Sequence, residues 1–447
     1  MFGPTQASPI QSIFVALMLL ILGLALIPLL KSPNKKYLAG LFFSAFVVRI
    51  IFVYVVYYYL VGVGGDGFAF LDDRRYNDAG TVIAAALRAG KDGYDLFSWQ
   101  QNPGYFYLNG WLYSLLGTDT FSARVLNAFL SSITVVLVFE IARLLFELRV
   151  AKTAGLLFAF MPNIVYMSTL QFKETALIFV MVYTVYLLVA KNEQKITLRS
   201  IIALIGTLVV MWYLRKDFTL PYIGIVMLWL ALRYTGLDSW IARMQKKGLA
   251  VFAGLALLVI GGGVLTALSN TQAGHVFFER FENIAGHNRE FTEKASTGQV
   301  GFSRHLRINS TSDIYKLPIA VGFSTIAPLP AWGWITSGEH AGIALYSISN
   351  LFFILLLPFV ILGFSLSKGT GAANSIMLRW FPLLTLIGIS ILYISVSRYK
   401  EQLMPFFFIW AAVALCQRSK YKNYLSMFYF SGFFFVALAV VVALMFR

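Results

Sequence analysis

Charge is scarce in this chain. Of its 447 residues only 13% are Asp, Glu, Lys or Arg, about half the roughly 25% of an ordinary soluble domain. Cysteine is nearly absent. The single Cys416 excludes an intrachain disulfide framework and any cysteine-based zinc site. Histidine is confined to His275, His287, His305 and His340, and none of these makes an HExxH or HxxxH pair. What fills the chain is apolar: 59% of it is hydrophobic, with a mean hydropathy of +0.74. No soluble fold hides that much apolar surface behind so few charges. Disorder is excluded too, because disordered chains are polar. The composition is that of an all-α polytopic membrane protein.

A helix needs about 20 apolar residues to cross the hydrocarbon core. Runs near that length lie at 11–30, 37–62, 121–146, 152–168, 173–190, 199–214, 219–235, 249–268, 342–364, 375–396, 403–417 and 423–446. They predict about 12 spans, within a range of 11–13. The stretch 317–335 is broken by Pro318, Pro328 and Pro330 and carries Trp332 and Trp334. It reads as an interfacial or re-entrant element rather than a clean span.

The net charge of +16 comes from 36 basic and 20 acidic residues. Lys31, Lys35 and Lys36 follow the first apolar run, which puts them in the cytoplasm and the N-terminus outside. Alternation then keeps Arg149 and Lys152, Lys191 to Arg199, Arg233 to Lys247, Lys368, and Arg418 to Lys422 inside. The two long loops, 63–120 and 269–316, fall outside. The first has seven Asp against Arg74, Arg75, Arg88 and Lys91, a net of −3. The basic excess therefore orients the chain, and nucleic-acid binding loses its support. Three blocks follow: an extra N-terminal span at 1–36, a membrane core at 37–235 with outer loop 63–120, and a C-terminal membrane half at 236–447 with outer loop 269–341. The expected location is a bacterial inner membrane, with the outer loops facing the periplasm.

Long ordered loops carry function more often than bundle helices do. In loop 63–120 the pattern predicts amphipathic helices at about 75–90 and 104–116, rich in residues that suit a membrane surface. Asp72 and Asp73 stand where the chain enters this loop. Paired carboxylates at a membrane boundary are costly without a use. One can serve as a general base, or the pair can hold a hard divalent cation such as Mg or Mn. The plainer alternative is a solvated loop start paired with Arg74 and Arg75. Basic residues also stand at other outer turns: Lys173 beside Glu174, Arg215 with Lys216, Arg304 with Arg307, and Arg398 with Tyr399 and Lys400. Charges at lipid headgroups and a phosphate-binding set both fit them. The mixed charge of loop 269–316 suggests a solvated helix lying over the outer cavity.

Taken in order, DDRRYNDAG, QNPGYFYLNGWLYSLLG, FSARVLNAFLSSITVVLVFEIARLLF and AGLLFAFMPNIVYMSTLQFKE resemble the start of the family 39 type of GT-C glycosyltransferases. That group includes protein O-mannosyltransferases and the lipid A aminoarabinose transferase. Asp72, Asp73 and Tyr76 match its acidic pair and following Tyr. Pro103 to Gly117 match its proline turn and aromatic helix, and Ala123, Arg124 and Asn127 match its Ala-Arg-x-x-Asn/Ser opening of a span. The likeness covers roughly 65–190 and returns weakly at SRYKEQLMPF, 397–406. It departs at Gln100 to Gly104, where aminoarabinose-transferase-like members carry Glu-Lys before Pro-Pro.

The resemblance implies a GT-C-like bundle and a transferase that uses a sugar on polyprenyl phosphate. Asp72 would be the catalytic base, with Asp73 supporting it or a metal. Arg74, Tyr76, Lys173, Glu174, Lys216, Arg304, Arg307, Arg398 and Tyr399 would be the donor-binding candidates. A glycan, a lipid or a protein would be the acceptor, and the bilayer the host of the donor's tail. Two other classes compete: a polysaccharide polymerase or ligase acting on lipid-pyrophosphate glycan, and a lipid or solute transporter. The first centres on Arg and His rather than an early Asp pair. The second places charge mid-span and repeats its spans.

The orientation is testable with the single native thiol removed. In a Cys416→Ala background, Thr118→Cys should react with a membrane-impermeant maleimide from outside. Lys36→Cys should react only after permeabilisation; the opposite pattern would invert the assignment.

Overall fold

A computed structural model describes residues 9–97, 102–190, 197–235, 306, 315–328, 341–367, 372–392, 397–426 and 428–429. Arg304, Arg307, the run at 249–268, most of 423–446 and most of loop 269–341 lie outside the described residues.

Every regular element among the described residues is helical. In chain order they are α1 (Pro9–Leu26), α2 (Lys35–Gly62), α3 (Leu71–Arg88), α4 (Gly104–Leu116), α5 (Thr120–Leu145), α6 (Leu148–Phe160), α7 (Pro162–Ser168), α8 (Lys173–Ala190), α9 (Leu198–Leu214), α10 (Lys216–Thr235), α11 (Leu317–Ile326), α12 (Ala341–Leu366), α13 (Phe381–Leu392) and α14 (Met404–Cys416). A π-helical segment, Ile376–Trp380, leads into α13, and a 3₁₀ turn, Ser397–Leu403, leads into α14.

Five helices are long and apolar enough to cross a membrane: α1 with its extension to Leu29, α2, α5, α8 and α12. These are the runs expected at 11–30, 37–62, 121–146, 173–190 and 342–364. The run at 152–168 is a bent pair, α6 and α7, meeting at 53°, and counts as a sixth crossing if taken as one span. The runs at 199–214, 219–235 and 375–396 form shorter apolar helices. The run at 403–417 is the 13-residue α14, about 20 Å long at 1.5 Å per residue. Of the stretch 317–335, the described part is the ten-residue α11, with Pro318 in its first turn.

The described residues fall into two compact units, one within Met1–Pro221, Pro330–Gly369 and Met404–Arg447, the other within Tyr222–Leu329 and Thr370–Leu403. In the first, α5 is the central post, packed against α1, α2, α6 and α8. Asp119 starts it by accepting from the backbone N–H groups of Phe121 (3.3 Å) and Ser122 (3.2 Å), an N-cap that satisfies two otherwise orphaned donors. The helices α3 and α4 form a hairpin whose close approach depends on small residues: a Cβ at Gly80 would meet Asn109, and one at Gly110 would meet Ile83. Gln11 of α1 donates to the Leu116 carbonyl at the end of α4. Ser12 shares a hydrogen bond with Tyr54 of α2 (2.8 Å). The start of α1 thus lies at the same end of the unit as loop 63–120. In the second unit α11 and α13 pack together, and Tyr222 meets Phe381 edge to face.

Arg49 sits in the middle of α2 and is wholly buried. A lone guanidinium inside a span is expensive, and the break between α6 and α7 explains why this one is held. Pro162 has no N–H, so the Phe158 carbonyl four residues earlier loses its helical donor. Arg49 supplies the replacement, donating to the carbonyls of Phe158 (3.1 Å) and Ala159 (2.8 Å), to its own helix at Ala45 (3.0 Å), and to Ser131 Oγ of α5 (3.0 Å). The C-terminal end of α6 also carries the negative end of the helix dipole, which favours a cation there. Arg49→Met should lower stability by about 3 kcal/mol or more, read as a fall in Tm in detergent. Arg49→Lys should recover only part, because one ammonium cannot span all four acceptors. A wild-type Tm for Arg49→Met would refute this account of the helix break.

Candidate functional site

The helix α3 begins earlier than its sequence pattern suggests, at Leu71 rather than near 75, so Asp72 and Asp73 both lie in its first turn. Carboxylates are favoured there by the helix dipole. Phe70 is the extended N-cap residue. Successive residues of a helix point about 100° apart, so the two neighbouring carboxylates face different surroundings.

Asp73 turns inward and is fully buried. Its Oδ1 accepts from the Gln171 N–H (2.8 Å), and its Oδ2 accepts from the Ala69 N–H (3.1 Å) and from Arg124 Nη2 (3.3 Å). Arg124, on α5, is equally buried; the same Nη2 donates to the Gly67 carbonyl at 2.7 Å. Its guanidinium lies over the rings of Tyr57 (5.4 Å) and Phe68 (5.3 Å). Gly67 adopts φ +83°, and a Cβ there would enter the Tyr57 ring, so only glycine suits the turn that offers this carbonyl. Burial pushes the Asp73 carboxyl up, while Arg124 and the two backbone donors pull it down; burial prevails.

A polar layer extends from this pair. Gln171, in the turn between α7 and α8, donates to Asn77 Oδ1 (3.2 Å) and the Thr120 carbonyl (3.1 Å). Its Oε1 accepts from the Tyr113 hydroxyl at 3.3 Å. Tyr113 also reaches Asn77 (2.9 Å). Asn127 donates to the carbonyls of Leu170 (2.6 Å) and Phe172 (3.1 Å), holding the same turn from α5. Five elements thus meet around Asp73. Asp72, by contrast, is half-buried.

The other residues singled out from sequence distribute as follows. Tyr76, one turn after Asp72, is buried against the rings of Tyr105 (4.9 Å) and Phe106 (5.1 Å) in the first turn of α4. Arg74 is exposed and pairs with Asp66 (2.8 Å) and Asp78 (3.8 Å), a solvated arrangement of small energetic weight. With Arg75, Leu71, Val82 and Phe97 it borders an open pocket of about 270 Å³. Lys173 and Glu174 open α8 directly after the turn that holds Asp73, Lys173 half-buried and Glu174 buried. Burial, with Tyr113 beside it, pushes the Tyr105 phenol well up, and Asp73 and Glu174 are among the charges that reach it. Lys216 opens α10, its ammonium 5.9 Å from the Trp212 ring. Arg398 and Tyr399 belong to the other unit, where the guanidinium lies 6.0 Å over the Tyr399 ring. Beside them the buried Lys400 donates to the carbonyls of Thr325 (3.0 Å) and Ala327.

Within the acidic pair, Asp73 is committed to protein donors on both of its oxygens. Among the described residues no group of three or more His, Cys, Asp and Glu side chains converges. Hard cations of this kind need several oxygen ligands at once.

Sequence reasoning took Arg124 as part of a motif without seeing that it holds Asp73, and passed over Gln171 and Asn77. The signal for Arg124 was its charge at the start of an otherwise apolar run. No spacing rule links Gln171 to Asp73 and Asn77 of α3, because they lie 98 and 94 residues apart in sequence. Asp73→Asn should leave a buried guanidinium without its counter-charge and cost about 3–5 kcal/mol. Combined with Arg124→Met, the loss should be smaller than the sum of the two single losses, measured by thermal unfolding in detergent. Strict additivity would mean the pair is not coupled.

Residues 100–261 match the family described as dolichyl-phosphate-mannose-protein mannosyltransferase, a GT-C-like glycosyltransferase family. Lys173, Glu174 and Lys216 lie inside the match; Asp72, Asp73, Arg74 and Tyr76 precede it. No curated protein matches the chain. Residues 100–261, which begin just before α4, are thus similar to a membrane-embedded glycosyltransferase family.

Proposed function

We propose that this protein transfers a sugar from a polyprenyl-phosphate donor to a glycan, lipid or protein acceptor at the outer face of the membrane, with inversion and with Asp72 as general base. The observation that carries the reading is the division of labour between neighbouring carboxylates. Asp73 is spent on Arg124 and two backbone donors. That clamp fixes the first turn of α3 and leaves Asp72 half-buried beside it. A base needs this combination: a rigid backbone and a carboxylate that an acceptor reaches.

The chemistry balances with one carboxylate. An acceptor hydroxyl or amine attacks the anomeric carbon opposite the donor phosphate. The new bond to the acceptor forms as the bond from carbon to phosphate oxygen breaks, and the polyprenyl phosphate leaves with the electron pair. The acceptor's proton passes to Asp72. Phosphate is already a good leaving anion, so no general acid is required, unlike glycoside hydrolysis. The departing charge needs cations, and the turns near α3 in the same unit supply Lys173 and Lys216. No step is routed through a metal. The twelve-span, GT-C-like architecture with its outer loops in the periplasm belongs to the same reading. A bilayer would hold the donor's tail while its head meets loop 63–120. The match at 100–261 to a family of polyprenol-type donor enzymes supports the transfer class.

The decisive test is transfer in reconstituted membranes with a panel of polyprenyl-phosphate sugars. Asp72→Asn should lower kcat by roughly 10²–10⁴-fold with Tm unchanged. Full activity in that variant would eliminate Asp72 as the base.

A further inference from the structure

The turn before α4 is tied to the junction of α9 and α10. Asn102 Oδ1 accepts from the backbone N–H of Lys216 at 2.9 Å. The bond spans 114 residues of sequence. Lys216 is the first residue of α10, so its N–H is one of the donors a helix leaves open at its start. Asn102 therefore caps α10 from a different element. A second contact fixes the same junction independently. Gly104, the first residue of α4, lies so close to α9 that a Cβ would stand 2.8 Å from the Tyr213 carbonyl carbon and oxygen. The break between α9 and α10 is one residue long, Arg215, in extended conformation with its N–H held by the Met211 carbonyl (2.7 Å). Arg215 is buried. The Lys216 ammonium is held over the Trp212 ring, 5.9 Å from its centroid.

This junction is mechanically continuous with Asp72. Tyr76 stands one turn along α3 from Asp72, on the same face. Its ring packs on Tyr105 and Phe106, the residues just after Gly104. The path from base to cation thus runs through one helical turn, one aromatic contact, the chain from Tyr105 back to Asn102, and one hydrogen bond. All of it lies within one compact unit.

We infer that Lys216 is the cation that receives the lipid-linked phosphate, and that Asn102 is the positioning residue that sets it there; this rests on the transferase reading above. The bond is to the Lys216 backbone, so Asn102 controls where the side chain starts without itself touching the phosphate. A free Lys side chain loses much rotamer freedom on binding. Fixing its backbone and placing its ammonium over the Trp212 ring removes part of that cost before the donor arrives.

The test uses the full-length protein in phosphatidylcholine nanodiscs, with undecaprenyl phosphate as the binding probe and inorganic phosphate as a competitor. Lys216→Met should weaken binding of undecaprenyl phosphate by roughly 10- to 100-fold, the loss of one charge-assisted contact. Lys216→Arg should retain most of it. Asn102→Ala should raise KM for the sugar donor several-fold with kcat little changed. Asn102→Asp, which keeps the acceptor oxygen, should restore KM. Asp72→Asn should bind the probe normally and fail to transfer. Displacement of the lipid by millimolar inorganic phosphate would identify the headgroup as what is recognised; a failure to displace it would assign affinity to the tail and overturn the role of Lys216. Wild-type binding and turnover in both Lys216→Met and Asn102→Ala, with Asp72→Asn inactive, would overturn this inference and leave the transferase reading standing. A wild-type protein that neither binds the probe nor transfers any sugar would overturn both.

Discussion

The buried ion pair between Asp73 and Arg124 is the constraint on which the part of this protein around α3 rests. Both groups are withdrawn from water, and such a pair is favourable only when further hydrogen bonds satisfy what the partners leave over. Asp73 meets that condition with two backbone N–H groups. Arg124 meets it in part: its Nη2 gives to the Gly67 carbonyl and its guanidinium lies over the Tyr57 and Phe68 rings, while its Nε and Nη1 find no hydrogen-bond acceptor among the described residues. The donors come from the residues before α3 and from the turn between α7 and α8, and the cation from α5. The pair therefore behaves less as an attraction between two side chains than as a joint where three pieces of chain are fixed at one point. The helix α3 is amphipathic and is not among the helices long and apolar enough to cross a membrane, so its position is fixed by what it packs against.

That joint also shows how an Asp-Asp dipeptide supports two roles. On a strand, adjacent side chains would face opposite sides of a sheet. On a helix they diverge by about 100°, which lets one enter the core while its neighbour stays at the edge. The loop's other acids have local work as well. Asp119 caps α5, Asp92 accepts from the Tyr94 N–H, and Asp66 accepts from the Phe68 N–H and meets Arg74. The negative charge of the first loop is thus mostly the sum of separate structural tasks rather than one field.

Much of this was legible in the sequence. Composition made the chain a helical membrane protein, and the apolar runs located the five long helices, because hydropathy over about 20 residues is a strong signal. The hairpin helix α4 was expected at its observed bounds. Three features escaped, each for a physical reason. The start of α3 moved four residues earlier because the dipole and the clamp favour two acids in the first turn, whereas periodicity registers only the apolar face. The bend at Met161–Pro162 was hidden inside a continuous apolar run, where hydropathy does not register a missing N–H. Apart from the Arg49 contact within its own helix, the partners of Gln171, Asn102 and Arg49 lie 51 to 114 residues away, and no local rule reports contacts of that range. The acidic pair itself was visible, but its division into a buried and an accessible member was not.

Arg49 carries a consequence for the order in which the chain is made. The carbonyls that receive it lie 109 and 110 residues downstream. At roughly 5–20 residues per second of synthesis, α2 is complete several seconds before α6 exists. During that interval a helix with a cation at its centre has no acceptor for it in the chain already made, beyond its own Ala45 carbonyl. Its remaining acceptors arrive only when α5 brings Ser131 and α6 ends at Phe158 and Ala159. The helix break at Pro162 thus does more than bend a span: it supplies the carbonyls that allow a much earlier span to settle.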